Sequence, residues 1–134
     1  MRWGVVNYIP MNTVKAYKVV RRGNRKYYSW SYVPGLSSRW YGDKDMSAYD
    51  VRYYTDGRWV TPKKNCNQFL YACPTLDAAK FWLVGNHRTH IVFEVELPAE
   101  DLNKKWRDMG RHPMFNTPRT LLCSRMRLIK KIKL

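Results

Sequence analysis

Hydrophobic and polar positions alternate along this chain in short runs, interrupted by stretches of helical spacing. "VKAYKVVRR", residues 14–22, is rich in β-branched residues and sets Lys18 beside Val19, which predicts a strand. "RGNR" follows as a turn and "KYYSWSYV" as a returning strand, giving a hairpin with Arg21, Arg22, Arg25 and Lys26 at its tip. "PGLSSRWYGDKDMS" has no period and reads as a long loop. "YDVRYYTDGRWVTP" predicts two short strands about the tight-turn pair Asp56-Gly57. "QFLYAC" is another short strand, closed by Pro74.

Thr75 opens the clearest helix. It is a favourable N-cap, Asp77 falls in the first turn, and Ala78, Phe81 and Trp82 share a face. Gly85 or Asn86 ends it. "HIVFEVEL" is the most regular strand, with Ile91, Phe93, Val95 and Leu97 on one face and Val92, Glu94 and Glu96 on the other. "AEDLNKKWRDM", bracketed by Pro98 and Gly110, predicts a second helix anchored by Leu102 and Trp106. "TLLCSRMRLIKKIKL" leans to β and runs into a basic tail at 130–134, while residues 1–13 read as an irregular arm. The order implies an α+β fold: a mostly antiparallel sheet with one main helix and one short C-terminal helix.

Composition narrows the class. A chain of 134 residues with 45% hydrophobic content is read as one globular domain, 1–134. Its 25 Lys plus Arg against 10 Asp plus Glu give a net charge of +15. Self-repulsion of that size is offset best by a polyanion or an anionic ligand, the alternative being a soluble basic surface with no partner. Cations interleaved with aromatics, as in "RRGNRKYYSWSY", suit flat anions such as nucleotides, although strands favour Tyr and Trp as well. Cys66, Cys73 and Cys123 lack C-x-x-C spacing, so neither a disulfide framework nor a zinc knuckle is expected. No apolar run has signal-peptide or transmembrane character, which points to the cytoplasm and away from a membrane.

The phrases "KAYKVV", "VRYYTDGRWVTP" and "FLYACPTLDAAKFW" running into "IVFEVEL" occur in an order that resembles the first Thoeris anti-defence family. The resemblance covers roughly residues 15–97. Proteins of that family are phage sponges that sequester a cyclic ADP-ribose signal made by bacterial TIR-domain enzymes. They oligomerise, and members also capture cyclic di- or trinucleotides. The resemblance therefore implies a phage protein in the cytoplasm of an infected bacterium. It would be a homo-oligomer that holds cyclic ADP-ribose isomers, such as glycocyclic ADP-ribose, without cleaving them. It assigns no ligand residues position by position.

Candidate residues come instead from side-chain chemistry. In "RDMGRHPMFNTPR", Arg107 and Arg111 stand four apart across the end of the second helix. One helical turn brings them to one side, where they either grip a pyrophosphate or compensate the helix dipole. Phe115, Asn116 and Arg119 follow in a loop bracketed by Pro113 and Pro118. There Asn116 reads a base edge and Phe115 stacks on it, or the loop is a connector whose Phe plugs the core. Arg21, Arg22, Arg25 and Lys26 are either a solvated turn or a cluster lent to another subunit's site. His87 and His90 lack the H-E-x-x-H pattern, so no metal is expected, and Glu94 and Glu96 are read as partners of the abundant cations. No nucleophile elbow, P-loop or dinucleotide-binding glycine pattern occurs, so neither an enzyme nor a cofactor is expected. The alternatives are a basic nucleic-acid-binding protein or, more weakly, an enzyme processing ADP-ribose.

Overall fold

The alternation in "HIVFEVEL" sets the architecture. The structure is a computed structural model that describes residues 12–23, 26–28, 51–62, 69–107, 113–114 and 119–134. A five-stranded antiparallel sheet contains β1 (Thr13–Gly23), β2 (Lys26–Tyr28), β3 (Arg52–Tyr53), β5 (His90–Pro98) and β9 (Arg127–Ile132). Their spatial order is β3-β2-β1-β5-β9. Two short ribbons accompany it: β4 (Leu70–Ala72) with β8 (Leu121–Cys123), and β6 (Trp106–Arg107) with β7 (Pro113–Met114). The α+β class expected from the element order is the observed one, with a single α-helix, α1 (Leu76–Leu83), among the described residues.

β1 and β5 pair without a slip from Thr13–Pro98 to Arg21–His90, so side chains of like parity face the same way. Ala16 and Val20 join Ile91, Phe93, Val95 and Leu97 on the inner face, packed with Tyr53, Leu70, Cys123, Met126 and Leu128. Each large apolar side chain buried there contributes roughly 1.5–3 kcal/mol. The outer face presents Tyr17, Val19 and Val92 to α1.

The sheet also curls. Tyr17 and Cys73 exchange backbone hydrogen bonds of 2.9 and 2.6 Å, and Val60 and Met126 exchange bonds of 2.8 and 3.0 Å. Pairing thus passes from β1 to β5, to β9, back along the chain to β8, across to β4, and through Cys73 to β1 again. The main core lies inside this circuit.

Several sequence expectations are corrected. The helix has the expected cap, Thr75 Oγ1 accepting from the Ala78 N–H at 3.1 Å, and the expected stop at Gly85, where φ is +81°. Its buried residues, however, are Ala78, Ala79 and Leu83, and Phe81 is 57% exposed. Two small alanines let the helix lie close on Val19 and Val92, which a face of bulky rings would prevent.

The Asp56-Gly57 turn forms, with Gly57 at φ +82°, but it does not close a hairpin. β3 pairs with β2, whereas Val60 pairs with Met126. The Asp56 carboxylate explains this divergence. It accepts from the backbone N–H of Arg58 at 3.0 Å, a side-chain turn that redirects the strand.

The second helix is only a 3-10 turn, Ala99–Asn103, and Trp106–Arg107 is extended. Asp101 is fully buried, and its carboxylate accepts from the Ser124 N–H at 2.7 Å and Ser124 Oγ at 2.8 Å. That anchor ties the turn to the β8–β9 corner. A segment so short gains too little from helical propagation to override it. At the ends, Thr13 belongs to β1 rather than to an arm and β9 takes in 130–132 of the expected tail, while residues 1–11 of the expected arm lie outside the described residues.

Candidate functional site

Register across three strand pairs builds a row of side chains. Arg21 stands opposite Tyr28 on one side and His90 on the other, and Tyr28 stands opposite Arg52. Directly opposed residues share a face of an antiparallel sheet. Arg52, Tyr28, Arg21 and His90 therefore line up across β3, β2, β1 and β5 on the outer face. Two strand spacings put the arginine backbones about 10 Å apart, with a tyrosine between them.

Gly23 shapes the middle of this row. A Cβ at that position would meet Tyr28 Cε2 at 2.6 Å, so the ring lies where any other residue would collide with it. Arg21 Nε is buried and makes no hydrogen bond. Neither Arg21 nor Arg52 has a carboxylate partner among the described residues. Elsewhere on the sheet three cations pair with its two glutamates: Glu94 with Lys15 at 3.9 Å and Lys130 at 4.0 Å, and Glu96 with Arg127 at 2.7 Å. Glu94 and Glu96 thus do what the sequence led us to expect.

Beside the row, β2 and the turn after β3 form a small open cleft of about 120 Å³. Lys26 and Arg52 line it from two strands, with Tyr27, Tyr53, Tyr54 and Asp56 around them. The guanidinium of Arg52 lies 4.7 Å from the Tyr54 ring centroid, and that of Arg58 lies 4.1 Å from the same ring. Arg58 Nη2 also donates to Asp56 Oδ2 at 3.0 Å. One tyrosine therefore organises two cations, of which only Arg58 is neutralised.

A second cation–aromatic group lies where Val60 meets Met126. Arg125 and Arg127 approach the Trp59 ring at 5.5 and 5.1 Å. Arg127 is held there by Glu96: its Nε donates to Oε1 at 2.8 Å, and Nη2 lies 2.7 Å from the same oxygen.

The expected site residues separate accordingly. Arg21 is in the row. Arg22 is exposed at the tip, its backbone N–H donating to the Thr89 carbonyl at 2.7 Å. Arg119 lies over Phe81 on the exposed side of α1, 5.0 Å from the ring centroid. Arg107 is placed by its backbone in β6, opposite Pro113, so the helical turn meant to align it with Arg111 does not form at that position. Arg25, Arg111, Phe115 and Asn116 lie outside the described residues. Arg52, Tyr54 and Arg58 were missed in the sequence. Their signal was the cation–aromatic alternation in "RYYTDGRW", which turn chemistry and strand propensity obscured.

The interior also holds a buried lysine that the row does not use. Lys18 is buried on the inner face, and its Nζ donates to the Tyr71 carbonyl at 2.6 Å and lies 5.5 Å from the Tyr53 ring centroid. Burial lowers its pKa from 10.5 to about 8, against an opposing pull from Cys123 and Cys73. Burial likewise pushes Cys123 up to about 12 and raises Cys73, so both free thiols stay protonated at neutral pH. His90 is also buried, with Nδ1 2.7 Å from Thr89 Oγ1.

Among the described residues, no group of three or more His, Cys, Asp or Glu is arranged to hold a metal. No helix there is long and apolar enough to cross a membrane. Comparison of the chain with protein-family models, with curated proteins and with solved structures finds no match.

Proposed function

We propose that this protein is a phage anti-defence protein. It sequesters anionic cyclic nucleotide signals of bacterial immunity, cyclic ADP-ribose isomers foremost, and does not turn them over. The observation that carries this reading is the row Arg52–Tyr28–Arg21, in which strand register sets a tyrosine between two arginines that have no carboxylate partner among the described residues. Guanidiniums neutralise phosphates through forked hydrogen bonds, and aromatic faces hold bases. The sequence resemblance adds the ligand class and the homo-oligomeric state. Exposed Phe81, Trp82 and Val84 on and beside α1 offer apolar surface for self-association.

The test is retention. The protein is incubated with a mixture of cyclic nucleotides and filtered, then heat-denatured, and the released molecules are identified. Recovery of intact cyclic nucleotide is expected. Linear or hydrolysed product would point to an enzyme and end this reading.

A second reading, a nucleic-acid binder, draws on the exposed lysines Lys130, Lys131 and Lys133 at the end of β9, across β5 from Arg21 and next to the His90 end of the row. Binding to polymer would fall steeply with salt, and each lost lysine would flatten that slope by a similar amount.

A further inference from the structure

The cleft beside the row is too small for a nucleotide. Pockets that enclose a whole small-molecule ligand run from roughly 300 Å³ upward, and this one holds about 120 Å³. It has room for one chemical group of a ligand, and its walls say which group that is.

Two cations face the space. Lys26 comes from β2 and Arg52 from β3, and neither has an ion-pair partner among the described residues. The one acid of the lining, Asp56, is already engaged. Its Oδ1 accepts from the Arg58 N–H and its Oδ2 from Arg58 Nη2, both at 3.0 Å. The cleft therefore keeps an excess of positive charge.

Tyr54 is no platform for a base, because both Arg52 and Arg58 already lie within 5 Å of its ring centroid. The ring acts as a post that orients Arg52. From these facts we infer that the cleft is a phosphoryl subsite. Lys26 and Arg52 contact a phosphate or pyrophosphate group there, and Arg58 is a positioning residue that neutralises Asp56 and braces Tyr54. The inference deepens the sequestration reading, on which it rests for the remainder of the ligand.

The roles of Arg52 and Arg58 are separable. Removing Arg52 takes away a charge-assisted contact with the ligand. Removing Arg58 takes away no contact, but it releases the Asp56 carboxylate to repel the ligand. Neutralising Asp56 in that background should then restore binding.

The experiment is calorimetry with inorganic pyrophosphate, and in parallel with cyclic ADP-ribose, on the full chain with folding checked by circular dichroism. Pyrophosphate is expected to bind the parent protein, and Arg52→Ala to weaken it by about tenfold or more. Arg58→Ala should also weaken it, and Asp56→Asn added to Arg58→Ala should bring affinity back to within about threefold of the parent, a gap of under about 1 kcal/mol. Arg52→Ala binding like the parent would overturn the subsite. A double variant as weak as Arg58→Ala alone would make Arg58 a contact and overturn its positioning role. Cyclic ADP-ribose binding without pyrophosphate binding would remove the subsite and leave sequestration standing. Pyrophosphate binding without retention of any cyclic nucleotide would do the reverse.

Discussion

Lys18 and Tyr71 are joined by a hydrogen bond of 2.6 Å from the lysine ammonium to the tyrosine carbonyl, inside the curled sheet. A charge held there makes stability depend on pH in a defined direction. The folded chain releases the Lys18 proton near pH 8, while the unfolded chain keeps it to about 10.5. Between those values the unfolded state binds more protons, so stability rises with pH. Below pH 8 the burial penalty is present in full. Above pH 9 the raised thiols of Cys123 and Cys73 work in the opposite direction, so the lysine is read as a difference: in denaturant titrations from pH 7 to 10.5 the parent should gain on the order of 3 kcal/mol relative to Lys18→Met, which keeps both thiols.

The same lysine gives a packing prediction. Lys18→Met keeps most of the volume and removes the buried charge, so at pH 7 it should match or exceed the parent in stability. Lys18→Ala leaves a cavity beside Tyr53 and should cost roughly 2–4 kcal/mol. Urea midpoints of the two variants check the contrast. Equal losses for both would mean that the ammonium itself is a favourable part of the core.

Asp101 should be among the most sensitive polar positions. Asp101→Ala strips the Ser124 N–H and hydroxyl of their shared acceptor and should cost roughly 2–4 kcal/mol. Lys104 lies 3.4 Å from the same carboxylate, but its side chain is 51% exposed. Lys104→Ala should therefore cost under about 1 kcal/mol. Thermal denaturation of both variants reads the difference.

Gly23→Ala tests the row. The added methyl collides with the Tyr28 ring and displaces it toward solvent. Affinity for the retained cyclic nucleotide should fall about tenfold, while the thermal midpoint stays within about 3 °C of the parent. An unchanged affinity would remove Tyr28 from the site.

Self-association should be visible by light scattering at micromolar concentration, as a mass well above 16.1 kDa. Trp82→Lys, placed on the exposed side of α1, should shift the mass toward the monomer. A parent protein that is monomeric throughout that range would count against the sequestration reading as a whole.

How much of this was legible in the sequence depended on the range of the interactions. β5 was readable because its alternation is uninterrupted, and α1 because Thr75 and Gly85 mark its ends through local chemistry. The buried face of α1 was not, since only the nearness of Val19 and Val92 makes two alanines preferable to Phe81 and Trp82. The 3-10 turn was missed because its determinant, the bond from Ser124 to Asp101, spans a long stretch of chain. The site was partly readable. Arg21 was named as a tip residue, but its relation to Arg52 exists only through the pairing of β1 with β2 and of β2 with β3, which no local pattern encodes.

The circuit of strand pairing has a kinetic consequence. Ala16 of β1 and Leu128 of β9 belong to one core cluster although they lie near opposite ends of the described chain. Little of that core can form before distant segments have met, so the chain loses loop entropy before packing compensates it. Folding should accordingly fall in the slow regime of non-local β topologies, milliseconds to seconds. β9 is an edge strand, with no further strand paired to its outer edge among the described residues. The exposed Lys130 and Lys131 there repel the same edge of a second molecule, which guards a slow folder against misassembly through that edge.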